Sequence, residues 1–177
     1  IIRTAPERYS SSIEYASNPF AESMKGVAQV LQADVGTRIC YTAHGSFDGH
    51  TDGIALHERL WRDVSGGIHD LYSDMKEHNA GDDLLIFVFS EFGRRVRDNG
   101  NGTDHGSGGV AFVIGDGVDG GHYGEYPSLE ADKLVEGDLA FNLDFRSLYT
   151  EILEDWLEVD ARPVVKGEYE RVGFLKG

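Results

Sequence analysis

The strongest constraint on the fold lies at residues 84–89, Leu-Leu-Ile-Phe-Val-Phe, an uninterrupted apolar run of strand length followed at once by Ser90 and Glu91. A strand without polar alternation is the pattern expected where both faces are covered, as in a parallel sheet. The pattern returns at 110–114, Val-Ala-Phe-Val-Ile, beyond a glycine-rich stretch. A third run of β-formers, 38–43 (Arg-Ile-Cys-Tyr-Thr-Ala), follows the helix-stopping Gly36. Helical periodicity fills the intervals. Phe20, Met24, Val27 and Leu31 recur at spacings of 4, 3 and 4, and Ile54, Trp61, Val64, Ile68, Leu71 and Met75 make a longer stripe over about 54–78. Phe145, Leu148, Ile152, Leu153 and Trp156 mark a last amphipathic helix over roughly 144–157. Strand, helix, strand, loop, strand, helix predicts an α/β fold, a mostly parallel sheet flanked by helices.

Composition bounds what such a domain does. Residues 1–18, with Ser10-Ser11-Ser12 between Pro6 and Pro19, read as an irregular lead-in, and 19–177 as a single α/β domain. Hydrophobic residues at 40% and aromatics at 11% are enough for a packed core. The net charge of −15 argues against a nucleic-acid backbone or an anionic membrane surface as partner. No apolar run approaches the roughly 18–20 residues of a membrane span. Cys40 has no second cysteine to pair with and is expected to fill core.

In an open α/β sheet, ligands gather where loops leave the carboxyl ends of strands. There the chain carries His44, Asp48, His50 and His57 after the first strand, and Glu91 with Arg94, Arg95 and Arg97 after the second, followed by Asp104 and His105. Oxygen and nitrogen donors of this kind suit zinc, magnesium, manganese or calcium, so the sharper reading is a divalent-metal site. The plainer reading makes Asp48 and Asp104 turn formers and the histidines solvent-facing. Glu91 resists the plain reading, because a carboxylate emerging from a buried strand needs a cation or hydrogen-bond donors. The arginines are the one concentrated positive patch, and guanidinium groups fork onto the oxygens of a phosphate or sulfate ester. The competing role for them is to neutralise an acidic surface.

Ser90-Glu91-Phe92-Gly93-Arg94 and Thr103-Asp104-His105-Gly106, in this order, with Gly45-Ser46-Phe47-Asp48-Gly49-His50 before them and Gly120-Gly121-His122-Tyr123-Gly124 after, resemble a bacterial family known as domain of unknown function fifteen-oh-one. The resemblance spans roughly 20–175 and implies similarity to the alkaline phosphatase and sulfatase superfamily of metal-dependent hydrolases. It implies an alkaline phosphatase-like fold of which this chain is the C-terminal half. It implies export through a twin-arginine signal absent from this chain, and a nucleophile and opening metal-binding Asp in the N-terminal half. Carried over, Asp48 and His50 stand as the first ligand pair, Glu91 as the acid of the second, and His105 as the late histidine, with Asp104, His44 or His57 to make up the set. Arg94 and Arg95 then stabilise the charge of a small-molecule or saccharide anionic ester. Phe92 stands where the second pair's histidine belongs, and one residue rather than a longer gap separates Asp48 from His50. Those departures keep open a binding or structural domain of the cell envelope that has lost chemistry, and an exposed sheet edge keeps open an oligomer.

Overall fold

A computed structural model describes residues 9–51 and 53–176. The chain divides into two compact units, Ile1–Leu84 and Leu85–Gly177.

The first unit is a helical pair. Helix α1, Pro19–Gln32, starts where Asn18 caps it, its side-chain oxygen accepting from the Ala21 amide at 2.9 Å, with Pro19 in the first turn. It buries Phe20, Ala21, Met24 and Ala28. Helix α2, Gly53–Glu77, buries Leu60, Val64, Gly67, Leu71, Asp74 and Met75. The two helices pack on each other, and each large apolar side chain so buried contributes about 1.5–3 kcal/mol relative to exposure. Close approach is possible because position 67 has no side chain: a Cβ there would lie 2.7 Å from Phe20 Cδ1 and 3.2 Å from Met24 Cγ. The irregular segment from Tyr9 to Tyr15 lies along α2, and the buried acid Asp74 ties it down. Tyr15 donates its hydroxyl to Asp74 Oδ2 at 2.7 Å, and Tyr9 donates to the same oxygen. Ser12 donates its amide to Glu77 at 3.0 Å.

The second unit is built from short strands and helices. Strand β1, Ile86–Val88, pairs antiparallel with β4, Phe112–Ile114, in the register Ile86 to Ile114 and Val88 to Phe112. Between them β2, Gly93–Asp98, and β3, Thr103–Gly106, form a second antiparallel pair. Helix α3, Phe145–Glu151, runs into a π-helical turn, Ile152–Trp156, and the short helix α4, Arg162–Val165, follows. Glu151, almost fully buried, accepts from the amides of Gly173 at 2.6 Å and Leu175 at 2.8 Å. That stitches the C-terminal segment and its buried Phe174 into the unit.

The predicted α/β fold, a mostly parallel sheet flanked by helices in an alkaline phosphatase-like layout, is corrected by these strands: two small two-stranded antiparallel sheets stand in its place. Parallel neighbours need a crossover, usually a helix, and the residues between β1 and β4 form a hairpin instead, so the chain returns antiparallel. The apolar run of 84–89 is half-buried through β1 rather than covered on both faces. The run 38–43 is no strand. Its residues are irregular, with Ile39 69% and Tyr41 78% exposed, because β-propensity acts only through pairing and burial against neighbours. Cys40, expected in the core, is exposed. The three predicted helices stand within a few residues of their expected limits, the last with its π-helical turn.

Candidate functional site

In the first unit the candidate residues sit on the loop that enters α2. Phe47 turns inward, packing edge-on against Trp61 and His57 at ring-centre distances of 5.3 and 5.6 Å and against His44 at 5.9 Å. Gly49 passes Leu56 so closely that a Cβ would lie 3.1 Å from Leu56 Cδ2. With Phe47 and Gly49 holding the loop against the helix, Asp48 and His50 stand exposed, Asp48 Oδ1 3.3 Å from His50 Nε2. Two ligands on one tetrahedral ion with bonds of about 2.1 Å sit roughly 3.4 Å apart, so the pair has the spacing of two donors to one cation. His44 and His57, the reserve ligands, lie inside the aromatic cluster. Among the described residues neither buried Nε2 has a hydrogen-bond partner, although Asp63 Oδ2 is 3.9 Å from that of His44. Among the described residues neither histidine joins Asp48 and His50 in a cluster of ligating atoms, so the first unit offers the Asp48–His50 pair, a carboxylate and an imidazole of the types a borderline divalent ion takes.

In the second unit the motif residues form the β2–β3 hairpin. Gly93 faces Gly106 in register, and both are glycine for steric reasons: a Cβ on Gly93 would lie 1.6 Å from the Gly108 carbonyl oxygen, and one on Gly106 2.7 Å from the Arg94 carbonyl. The turn is built by Asn99-Gly100-Asn101-Gly102, with Gly100 at φ 103° and its amide bonded to Asp98 Oδ1 at 2.6 Å. Asp104 supports this turn by accepting from Asn99 Nδ2 at 3.0 Å. Glu91 is exposed, so the burial that demanded a cation beside it is absent.

Residues 7–166 match the family described as "Protein of unknown function (DUF1501)". The chain belongs to the DUF1501 family. No curated protein and no solved structure matches it.

The family's description names no chemistry, so for this DUF1501 protein the hairpin itself must say what its residues can do. Successive residues of a strand face opposite ways. Arg94 pairs across the hairpin with His105, and Phe92, two residues before Arg94, stacks on the His105 ring with centroids 3.8 Å apart and 6° between planes. Asp104 belongs to the opposite face, and the register shifts just after Arg94, where Arg95 stands. Arg94 donates Nη1–H to the Thr103 carbonyl at 2.8 Å and lies 5.1 Å from the centre of the Phe92 ring. Arg95 donates Nε–H to the His105 carbonyl at 3.3 Å and stands 3.9 Å from the nearly buried Asp138.

The structure thus brings Asp48 to His50 in the first unit and gathers Arg94, Arg95, Asp104 and His105 on one hairpin in the second. Sequence reasoning missed Phe92 as a partner of His105 and Asp138 as a partner of Arg95. Asn99-Gly100, the commonest short hairpin signal, was the available clue to the first.

Proposed function

We propose that this DUF1501 protein is a metal-dependent hydrolase acting on a phosphate or sulfate ester. The observation that carries the reading is the exposed Asp48–His50 pair at ligand-to-ligand spacing. Asp48 and His50 are the candidate ligands of the first unit, and Glu91, Asp104 and His105 those of the second. A divalent ion held by either set would supply Lewis-acid polarisation of an ester oxygen and would make a hydroxyl or water easier to deprotonate. The chain's own contribution is positioning. Arg94, which donates to the Thr103 carbonyl, carries a planar fork of the kind that suits the oxygens of a tetrahedral anion. Nucleophilic attack is assigned to no residue of this chain.

The test is metal content of the purified protein beside an Asp48→Ala, His50→Ala double variant. Loss of a bound zinc or manganese ion in the variant supports the site, and equal content overturns it. A second reading, a non-catalytic domain that binds an anionic saccharide, is favoured by the arginines' existing bonds to Thr103 and His105 and by the exposure of Glu91. Binding of a sulfated oligosaccharide without metal and without turnover separates the two.

A further inference from the structure

We propose that a cleft of the second unit, between α3 with its π-helical turn and the segment 161–169, binds one neutral sugar ring, independently of the residues discussed above. The cleft holds about 260 Å3, a little under the roughly 300–1,000 Å3 that takes a drug-sized ligand, so it suits a single ring. Thr150 and Ala161, 5% and 1% exposed, close its inner end. A helical threonine can return its hydroxyl to a carbonyl one turn back, yet Thr150 Oγ1 is buried with no hydrogen-bond partner among the described residues. A buried hydroxyl left so is costly, and it points to a ligand that completes it. Glu154 lines the same cleft from the π-helical turn, a distortion frequent at functional sites. Its Oε2 accepts from Arg171 at 2.7 Å, while Oε1 meets only the Ala161 amide, at a long 3.5 Å. The charges of the lining choose the ligand. An anion would face Glu154 and the exposed Glu168; a cation would face Arg162, and Glu154 already holds Arg171. Arg162 is itself forked onto Asp160 at 2.9 and 3.0 Å. A neutral ligand rich in hydroxyls avoids both conflicts: it donates to Glu154 Oε1, which only accepts, and exchanges a bond with Thr150 Oγ1, which does either. Tyr169 adds an apolar ring with a polar tip, matching the C–H and O–H groups of a sugar. Gly167 lets that phenol come close, since a Cβ there would lie 3.0 Å from Tyr169 Cε2.

The experiment titrates the whole protein, followed by amide NMR, with the methyl glycosides of glucose, galactose and N-acetylglucosamine, and with tetrasaccharides of the same sugars. At least one probe should shift the amides of Thr150, Gly167 and Tyr169 saturably. Binding of the tetrasaccharide as well assigns the site to the end of a chain, and binding of the glycoside alone to a free sugar; either result supports the proposal. Thr150→Val keeps the shape and removes the hydroxyl. It should bind about three- to tenfold more weakly, the loss of one neutral hydrogen bond, with a Tm at or above wild type because that hydroxyl has no partner in the protein; Thr150→Ser should restore binding. Absence of saturable shifts with every sugar overturns the proposal, as does wild-type affinity in Thr150→Val. So does a fall of several degrees in the Tm of Thr150→Val, which would make the hydroxyl a structural bond. Saturation of the same amides by methylammonium or sulfate, with no response to the sugars, overturns it too.

Discussion

Replacing Asp74 with alanine tests whether one buried carboxylate fastens the segment from Tyr9 to Tyr15 to α2. Asp74 is fully buried; its Oδ2 accepts from both tyrosine hydroxyls, and its Oδ1 is 3.1 Å from His78 Nδ1. A hydrogen bond to a charged group nets about 1.5–3 kcal/mol, so two give about 3–6 kcal/mol. Both phenols are only partly buried and recover water when the acid is gone, which puts the loss near the lower end, about 3 kcal/mol. That agrees with the roughly 3–5 kcal/mol found when one partner of a buried charge pair is removed. For a chain of this size it corresponds to a fall in Tm of about 6–12 °C. Thermal unfolding followed by circular dichroism gives the total, and hydrogen exchange locates it. Protection should collapse at residues 9–15, including the Ser12 amide that donates to Glu77. Asp74→Asn, which keeps one acceptor oxygen, should lose less. A loss below about 1 kcal/mol with protection intact would refute the claim that this acid is what fastens the segment.

The same anchor predicts a pH dependence. His78 Nδ1 faces the Asp74 carbonyl at 2.8 Å and Nε2 the Ser10 carbonyl at 2.9 Å, and since carbonyls only accept, both bonds form only in the imidazolium. These bonds, the one to Asp74 first, raise its pKa. A raised folded-state pKa contributes stability that is complete below the unfolded value near 6.5 and is lost as pH rises through the higher folded value. Protection of residues 9–15, corrected for intrinsic exchange, should therefore decline across that window in wild type and be flat in His78→Gln; a flat wild-type profile contradicts the assignment. Tyr9, pushed up to about 12 by burial and by Asp74, keeps its proton throughout. At the helix crossing, Gly67→Ala drives a methyl into Phe20 and should cost about 1–2 kcal/mol after its gain in helix propensity. Gly66→Ala next to it meets nothing within 4 Å and should stabilise by about 0.5–1 kcal/mol, so equal signs in urea unfolding refute the packing account.

The helices were legible because a 3.6-residue stripe reports one-sided burial: of the stripe read on α2, Val64, Leu71 and Met75 are buried together, while Ile54 and Trp61 stand exposed and the unread Leu60 is buried. The strands were legible as segments and not as a sheet. An apolar run such as 84–89 fixes neither direction nor neighbour, and direction here was decided by what lies between β1 and β4, a hairpin rather than a crossover helix. Residues 38–43 had the composition of a strand, and among the described residues no strand forms a ladder with them. Asp74 was invisible for the opposite reason. It occupies a buried position on α2 that a hydrophobic pattern assigns to an apolar residue, and its tyrosine partners lie 59 and 65 positions away.

At the candidate site, neighbouring residues in sequence were read as neighbours in space, and strand alternation divides them. Asp104 and His105 point to opposite faces of the hairpin, so a ligand docked on one face meets only one of them, and the register shifts just after Arg94, which takes Arg95 out of simple alternation. Arg95 leans on the His105 carbonyl and toward Asp138, Asp104 supports the turn through Asn99, and Arg94 donates to the Thr103 carbonyl. The face opposite Asp104 carries Arg94, His105 and the Phe92 ring that touches both. A ligand on the His105 side therefore meets Phe92 and Arg94, and one on the other side meets Asp104. Replacing Asp104 with alanine should loosen the turn at Asn99, seen as faster amide exchange over 99–102, while His105→Ala should leave that turn intact.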